Sequence, residues 1–213
     1  MNKIYSWSAL FLLLISPLSA QVLLVDGDRG FNYEKEYEYA LQMAGIQYTH
    51  WDIAKKGEPN GIDLEKYQVT LWITDNSKYA FSFSEAQTLA HYLQKKGKVI
   101  VMGLHTGEAL REVWLDQAFF GFNYEGSSLD EKELRKFIGS PGGVQKLFAQ
   151  TDYGTPSRDG YKYFEIQGDF HDALYGKSCA IKTSKTFWFG FDIKDIPDLF
   201  SQAQLLFDAV NSL

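Results

Sequence analysis

Cysteine is nearly missing from this sequence: Cys179 stands alone among 213 residues, which excludes a disulfide within the chain. It lies in the apolar run SCAIK, and that setting favours a buried, inert thiol over a reactive one. Histidine is scarce as well. His50, His91, His105 and His171 are scattered, His91 within a helical pattern, and no two lie at metal-ligand spacing. A tetrahedral zinc site is therefore not expected. Basic charge is in deficit, with 21 Lys and Arg against 27 Asp and Glu, a net charge of −6. An acidic chain with no basic stretch is a poor match for nucleic acid or an anionic membrane. Gly27-Asp28-Arg29-Gly30 has the spacing of neither glycine-rich phosphate motif, and no cofactor fingerprint is present.

Long apolar runs are missing beyond residue 20, and the first twenty residues carry an export signal pattern. Lys3 supplies a positive start, Ala9 to Ile15 an apolar core, and Pro17-Leu18-Ser19-Ala20 a small-residue cleavage site. A membrane anchor is the rival reading. A spanning helix needs about 20 mostly apolar residues, and the serines at 6, 8, 16 and 19 with Pro17 leave this stretch short. Cleavage after Ala20 would make Gln21 the first residue and remove Lys3, leaving 20 basic and 27 acidic side chains, or −7. No cysteine follows the cleavage site to carry a lipid. These features predict a periplasmic or secreted protein with no membrane attachment after cleavage.

Residues 21–213 suit one domain by length. Val22 to Val25 is a short continuous apolar run, as expected of a strand buried on both faces. Tyr33 to Ala44 carries a helical stripe (Tyr33, Tyr37, Leu41, Ala44) stopped by Gly45. Strands are predicted at Gln47 to Ile53, Val69 to Thr74 and Lys98 to Gly103, with a helix over Ser84 to Lys96. Ser84 and Gln87 make a capping-box pattern for that helix. The β-α-β-β-α-β order predicts an α/β fold: three layers, with a mainly parallel sheet flanked by helices. About 112–185 the pattern is irregular, with a helical piece at Asp130 to Phe137, a Ser140-Pro141-Gly142-Gly143 hinge and a strand at Tyr163 to Ile166. It reads as an elaboration of the same domain. A strand at Phe187 to Phe191 and a helix over Leu199 to Val210, with Pro197 in its first turn, close the chain.

In an open parallel sheet, ligands collect beyond the carboxyl ends of the strands. Those ends carry Asp26, Asp28 and Arg29, then Asp52, then Asp75 and Asn76, then Gly103-Leu104-His105-Thr106-Gly107-Glu108, and finally Asp192 and Lys194. Asp, Asn and Gly are also the ordinary residues of turns and caps, so only their convergence points to a site. His105 is the most informative residue. In a Gly-x-His-x-Gly turn after a buried strand it can serve as a general acid or base, with Glu108 or Asp75 orienting it. Asp26, Asp28, Arg29, Asn76, Thr106 and Asp192 are the candidate ligand contacts. A second arrangement would have the carboxylates of Asp26, Asp28 and Asp75 hold a hard cation, with Thr106 and Lys194 completing a pattern similar to receiver domains. An exported protein meets no phosphorylated kinase partner for that role, and the long segment between the fourth and fifth strands does not fit it, so no metal is expected.

The segments VLLVDGD (22–28), YEYALQMAGIQYTHWDI (37–53), FSEAQTLAHYLQKKGKVIVMG (83–103), WLDQAFFGFNYEG (114–126) and GFDIKDI (190–196) carry a family resemblance. Together they resemble the class I glutamine amidotransferase-like, flavodoxin-like domains of secreted bacterial proteins, including those attached to immune-inhibitor-type peptidases. KKGKVIVMGLH is similar, more distantly, to the ThuA-type branch of the fold. The family's turn reads Gly-x-Cys-x-Gly, and the resemblance puts His105 where that cysteine would stand. Without a thiolate there, thioester chemistry is lost and glutaminase activity is not expected.

Three functions follow. The first is an exported, non-catalytic binding or interaction domain for a small molecule, sugar or protein. Aromatic residues make up 16 % of the chain, and Trp51, Trp72, Trp114, Tyr124 and Trp188 would supply its stacking surface, unless they pack the core. The second is a hydrolase- or ThuA-like sugar-active enzyme using His105 as acid or base. The third is a scaffold whose 112–185 segment contacts a partner protein.

Overall fold

The computed structural model describes residues 22–27, 30, 32, 34–74, 80–136, 146–157 and 159–213. The export signal, the Ser140 to Gly143 hinge, and Asp28, Arg29, Asp75 and Asn76 lie outside the described residues.

A mixed sheet of nine strands organises the described residues, in the order β2-β1-β3-β4-β9-β8-β6-β5-β7. β1 (Val22–Gly27), β2 (Tyr48–Asp52), β3 (Val69–Thr74), β4 (Lys98–Met102) and β9 (Thr186–Phe189) run parallel. Their apolar runs match their surroundings: every residue of β1, β3 and β9 is buried, because helices cover both faces. On one face α1 (Glu34–Met43) and α6 (Leu199–Ser212) pack Tyr37, Ala40, Leu41, Leu205, Leu206 and Ala209 against Leu24, Leu71 and Ile100. On the other, α4 (Phe83–Lys95) and α5 (Thr106–Glu112) bring Ala86, Leu89, Leu93 and Leu110 against Leu23, Trp72 and Val101. Two short helices, α2 (Ile53–Lys56) and α3 (Gly61–Leu64), carry the chain from β2 to β3.

The other half is antiparallel. β8 (Ser178–Lys182), β6 (Lys146–Pro156), β5 (Phe122–Lys136) and β7 (Tyr161–Ile166) extend the sheet from β9. β7 pairs with β8 as well as with β5, so these four strands curl into a closed ring. Closure removes the free edge this extension would otherwise present.

Three expectations change. The predicted helix at Asp130 to Phe137 is strand as far as the structure describes it: Leu134 pairs with Leu147 on one side and Ile166 on the other. Long-range pairing overrides a locally helical pattern there. The cap of α4 is Ser82, with Glu85 closing the capping box, two residues earlier than Ser84 and Gln87. A carboxylate at the third position suits the positive helix end better than an amide. Asp198 caps α6 and accepts from the Ser201 amide, so Pro197 precedes the helix. Cys179 is fully buried on β8, and burial pushes its thiol well above the ordinary range. Trp72 and Trp188 are core residues, whereas Trp114 stands 83 % exposed.

Candidate functional site

The centre of the site is the sharp passage from β4 into α5. β4 ends at Met102, and His105 occupies the position before α5 with φ 64° and ψ 3°, in the left-handed region. For a histidine that geometry is strained, and strain of this kind persists only where the surroundings enforce it. The passage is a strand–turn–helix elbow with the Gly-x-His-x-Gly spacing, and the imidazole stands at its middle position. His105 is half-buried, and its Nδ1 is buried with no hydrogen-bond partner among the described residues.

The next residue locks the turn. Thr106 is fully buried, its Oγ1 donates to the Gly103 carbonyl at 2.7 Å, and it accepts from Trp188 Nε1 at 3.0 Å. Its hydroxyl therefore holds the elbow together instead of facing a ligand. Gly107 admits no side chain: a Cβ there would stand 2.7 Å from the Tyr124 ring, 3.0 Å from Trp188 and 3.1 Å from Asp152 Oδ2. Glu108 lies in the first turn of α5, 3.8 Å from Arg111.

Beneath the elbow sits Asp152 of β6, with no exposed surface. Oδ2 accepts from the Gly107 amide at 2.7 Å and Oδ1 from Ser127 Oγ at 2.6 Å; Ser127 in turn meets the Tyr124 hydroxyl at 2.8 Å. Burial lifts the Asp152 carboxyl to about 6, opposed by the Ser127 and Gly107 hydrogen bonds and by the nearby His105. Burial also pushes the Tyr124 phenol up to about 12. The elbow thus rests on a carboxylate that changes charge near neutrality, hydrogen-bonded across a chain separation of 45 residues.

Asp26 belongs to a second group, two strands away along the same edge. His50 of β2 stands between two carboxylates, its Nε2 3.4 Å from Asp26 and its Nδ1 3.2 Å from Glu38 of α1. Asp192 is buried and caps the turn after β9, accepting from the Lys194 amide at 3.1 Å, with Lys194 Nζ at 3.5 Å and the Tyr37 hydroxyl at 3.5 Å. Among the described residues no group of three or more His, Cys, Asp and Glu is placed to hold a metal. The structure brings His105, Thr106 and Glu108 into one turn, places Asp26 with His50, and gives Asp192 a capping role. Asp152, Ser127 and His50 escaped sequence reasoning. His50 faces the β1 register at Leu24, a signal available only once the strands are paired. Asp152 left none, being one acid in an irregular stretch.

No family model matches the chain, and no curated protein matches it. Solved structures do. A GMP synthase-like protein of Thermoplasma acidophilum matches with TM-score 0.62 at 7 % identity, over 91 % of this chain and 94 % of that one. A ThuA-like protein of Parabacteroides merdae matches with TM-score 0.54 at 13 % identity, over 89 % and 88 %. The N-terminal domain of mmIFT52 matches with TM-score 0.57 at 13 % identity, over 85 % and 96 %. The fold is therefore amidotransferase-like and ThuA-like, and at these identities the likeness speaks for fold alone.

Proposed function

We infer that this chain is an exported binding domain of amidotransferase-like fold, whose elbow presents His105 to a small polar ligand. One observation carries the reading: an imidazole is held in a strained left-handed turn with its Nδ1 buried and without a partner among the described residues. Strain and an unspent polar atom are both costs, and a ligand that accepts from or donates to the imidazole offsets them. Acyl transfer to a thiol has no support at this elbow. The single cysteine is buried on β8, its thiol driven towards the neutral form. The export pattern of residues 1–20 supports a periplasmic or secreted setting, and the resemblance to domains of secreted peptidases belongs to the same proposal.

A second reading, acid–base chemistry at His105, is favoured by one further fact. Asp152 titrates at about 6 at the base of the elbow, so two groups of different environment meet there. One experiment separates the two. A panel of amino acids, amides and monosaccharides is screened by thermal shift against the wild type and His105→Ala, with L-glutamine hydrolysis assayed in parallel. Binding requires hits that vanish in His105→Ala and remain chemically unchanged on prolonged incubation. Turnover of a hit by the wild type alone moves the assignment to catalysis. Hits indifferent to His105→Ala, or ammonia released from glutamine, sink the proposal.

A further inference from the structure

The outer surface of the α1–α6 layer keeps large apolar side chains in water. α6 buries Leu205, Leu206 and Ala209 against the sheet, yet Phe200 stays 71 % exposed and Phe207 45 %. Met43, the last residue of α1, is 52 % exposed. These three, with Ala44, Ala203 and Gln204, line an open groove of about 220 Å³ between the two helices. At about 150–250 Å² for each large side chain, the three leave roughly 300–400 Å² of apolar surface bare. A patch of that size on a soluble chain marks an interaction site more often than chance. It also matches the apolar centre of a standard interface, which covers about 800 Å² on each partner with a polar rim around it.

Charge narrows the choice of partner. The chain carries −6 overall, so two copies repel, and the repulsion is least where the facing surfaces hold no charge. None of the residues lining the groove is ionisable. From Leu199 to Leu213 the only ionisable side chain is Asp208, and it lies close enough to Lys136 and Tyr163 of the antiparallel half to act on both. A partner that docks through charge finds nothing complementary on this face. A second copy, equally uncharged there, finds its match.

The residue order of α6 supplies the symmetry such a pair needs. Phe200, Ala203, Gln204 and Phe207 follow one another at spacings of three and four, so they share a stripe of the helix. The two phenylalanines stand symmetrically about the midpoint between Ala203 and Gln204, about 10 Å apart along the axis. An antiparallel second α6 therefore sets each Phe200 against the other copy's Phe207, and the small Ala203 at the crossing lets the helices approach. That reciprocity is what an isologous contact requires. We propose that α6 and the end of α1 form a homodimer face, in which two copies of α6 pair antiparallel about a twofold axis at Ala203 and Gln204.

Sedimentation equilibrium of residues 21–213 tests it between about 1 and 100 µM, where contacts of moderate affinity are populated. The mass should rise to twice that of the monomer. Phe200→Glu should remain monomeric over the same range, because it puts a carboxylate from each copy into the apolar centre. Phe200 is mostly exposed, so this change leaves the core intact. Phe83→Glu is the control: Phe83 is 73 % exposed at the start of α4, on the opposite face of the sheet, and its variant should still dimerise. Gln204→Cys checks the axis. Cys179 is buried, so the introduced thiol is the reactive one, and copper phenanthroline should join two copies through it. Gln87→Cys, exposed on α4, should stay unlinked. A monomer at every concentration overturns the proposal and leaves the face to a different protein. So does a dimer that Phe200→Glu fails to weaken, or linkage through Gln87→Cys as ready as through Gln204→Cys.

Discussion

The two halves of the sheet solve different problems with the same strands. In the parallel half, helices cover both faces and β1, β3 and β4 are mostly apolar and buried, while β2 is half-buried and carries polar side chains such as His50. In the antiparallel half, four strands close on one another and carry polar side chains into the interior: Asp152, Thr151 and Ser178 have no exposed surface. The elbow belongs to the first half and its buried carboxylate to the second. A scaffold of this kind fixes the backbone of the turn, while the added strands decide which charges lie under it. One fold can thereby carry different sites.

The seam between the halves is the most sensitive place to test that division. Trp188 of β9 stacks on Phe122 of β5 at 4.1 Å between ring centroids and donates to the Thr106 hydroxyl in the elbow. Trp188→Ala should cost about 3–5 kcal/mol, the range for truncating a fully buried aromatic. Urea unfolding measures it. A cost under about 1 kcal/mol would mean that the halves pack independently, against the comparison drawn above.

Asp152 sharpens the comparison through pH. Its folded carboxyl titrates at about 6 against an ordinary 3.8, so the folded state binds the proton more tightly than the unfolded chain. The stability this contributes is complete below the ordinary value and is lost as pH rises through about 6. Across that window the wild type should lose up to about 3 kcal/mol from this group. Asp152→Asn keeps an acceptor and stays neutral, so its stability should be flatter between pH 4 and 7, as read from denaturant midpoints. An unchanged slope would mean that the carboxylate is compensated by a partner other than Gly107, Ser127 and His105.

How far the sequence discloses these halves follows from where their contacts lie. VTLWIT and KVIVM announce β3 and β4 because burial on both faces makes a strand continuously apolar. The Gly-x-His-x-Gly spacing likewise announces the elbow, since the turn is local. In the extension, each strand is specified by partners far along the chain, and two register irregularities in β5 break the alternation that would reveal it. Lys136 shows the cost of reading locally. In a helix it would be a surface charge; in the strand it alternates inward, buried over the Tyr163 ring at 5.1 Å, and burial lowers its basicity. Asp152 is hidden for the same reason, as its role depends on a glycine 45 positions away.

The smallest expected effect tests whether the seam extends to the surface. Arg111 of α5 lies over the Tyr124 ring of β5 at 4.9 Å and pairs with Glu112 at 3.0 Å and, more loosely, with Glu108 at 3.8 Å. Its side chain is 45 % exposed, so water and salt screen both carboxylate pairs. The guanidinium over the ring is the part that bridges the halves, and such contacts are worth about 0.5–1 kcal/mol at exposed sites. Arg111→Ala should therefore cost no more than about 1 kcal/mol, and Arg111→Lys should recover part of it. Repeating the measurement at high salt isolates the bridge: a cost that persists belongs to the ring contact, and one that disappears belongs to the carboxylates. In the second case the two halves meet only through buried groups, and the elbow is tuned wholly from within.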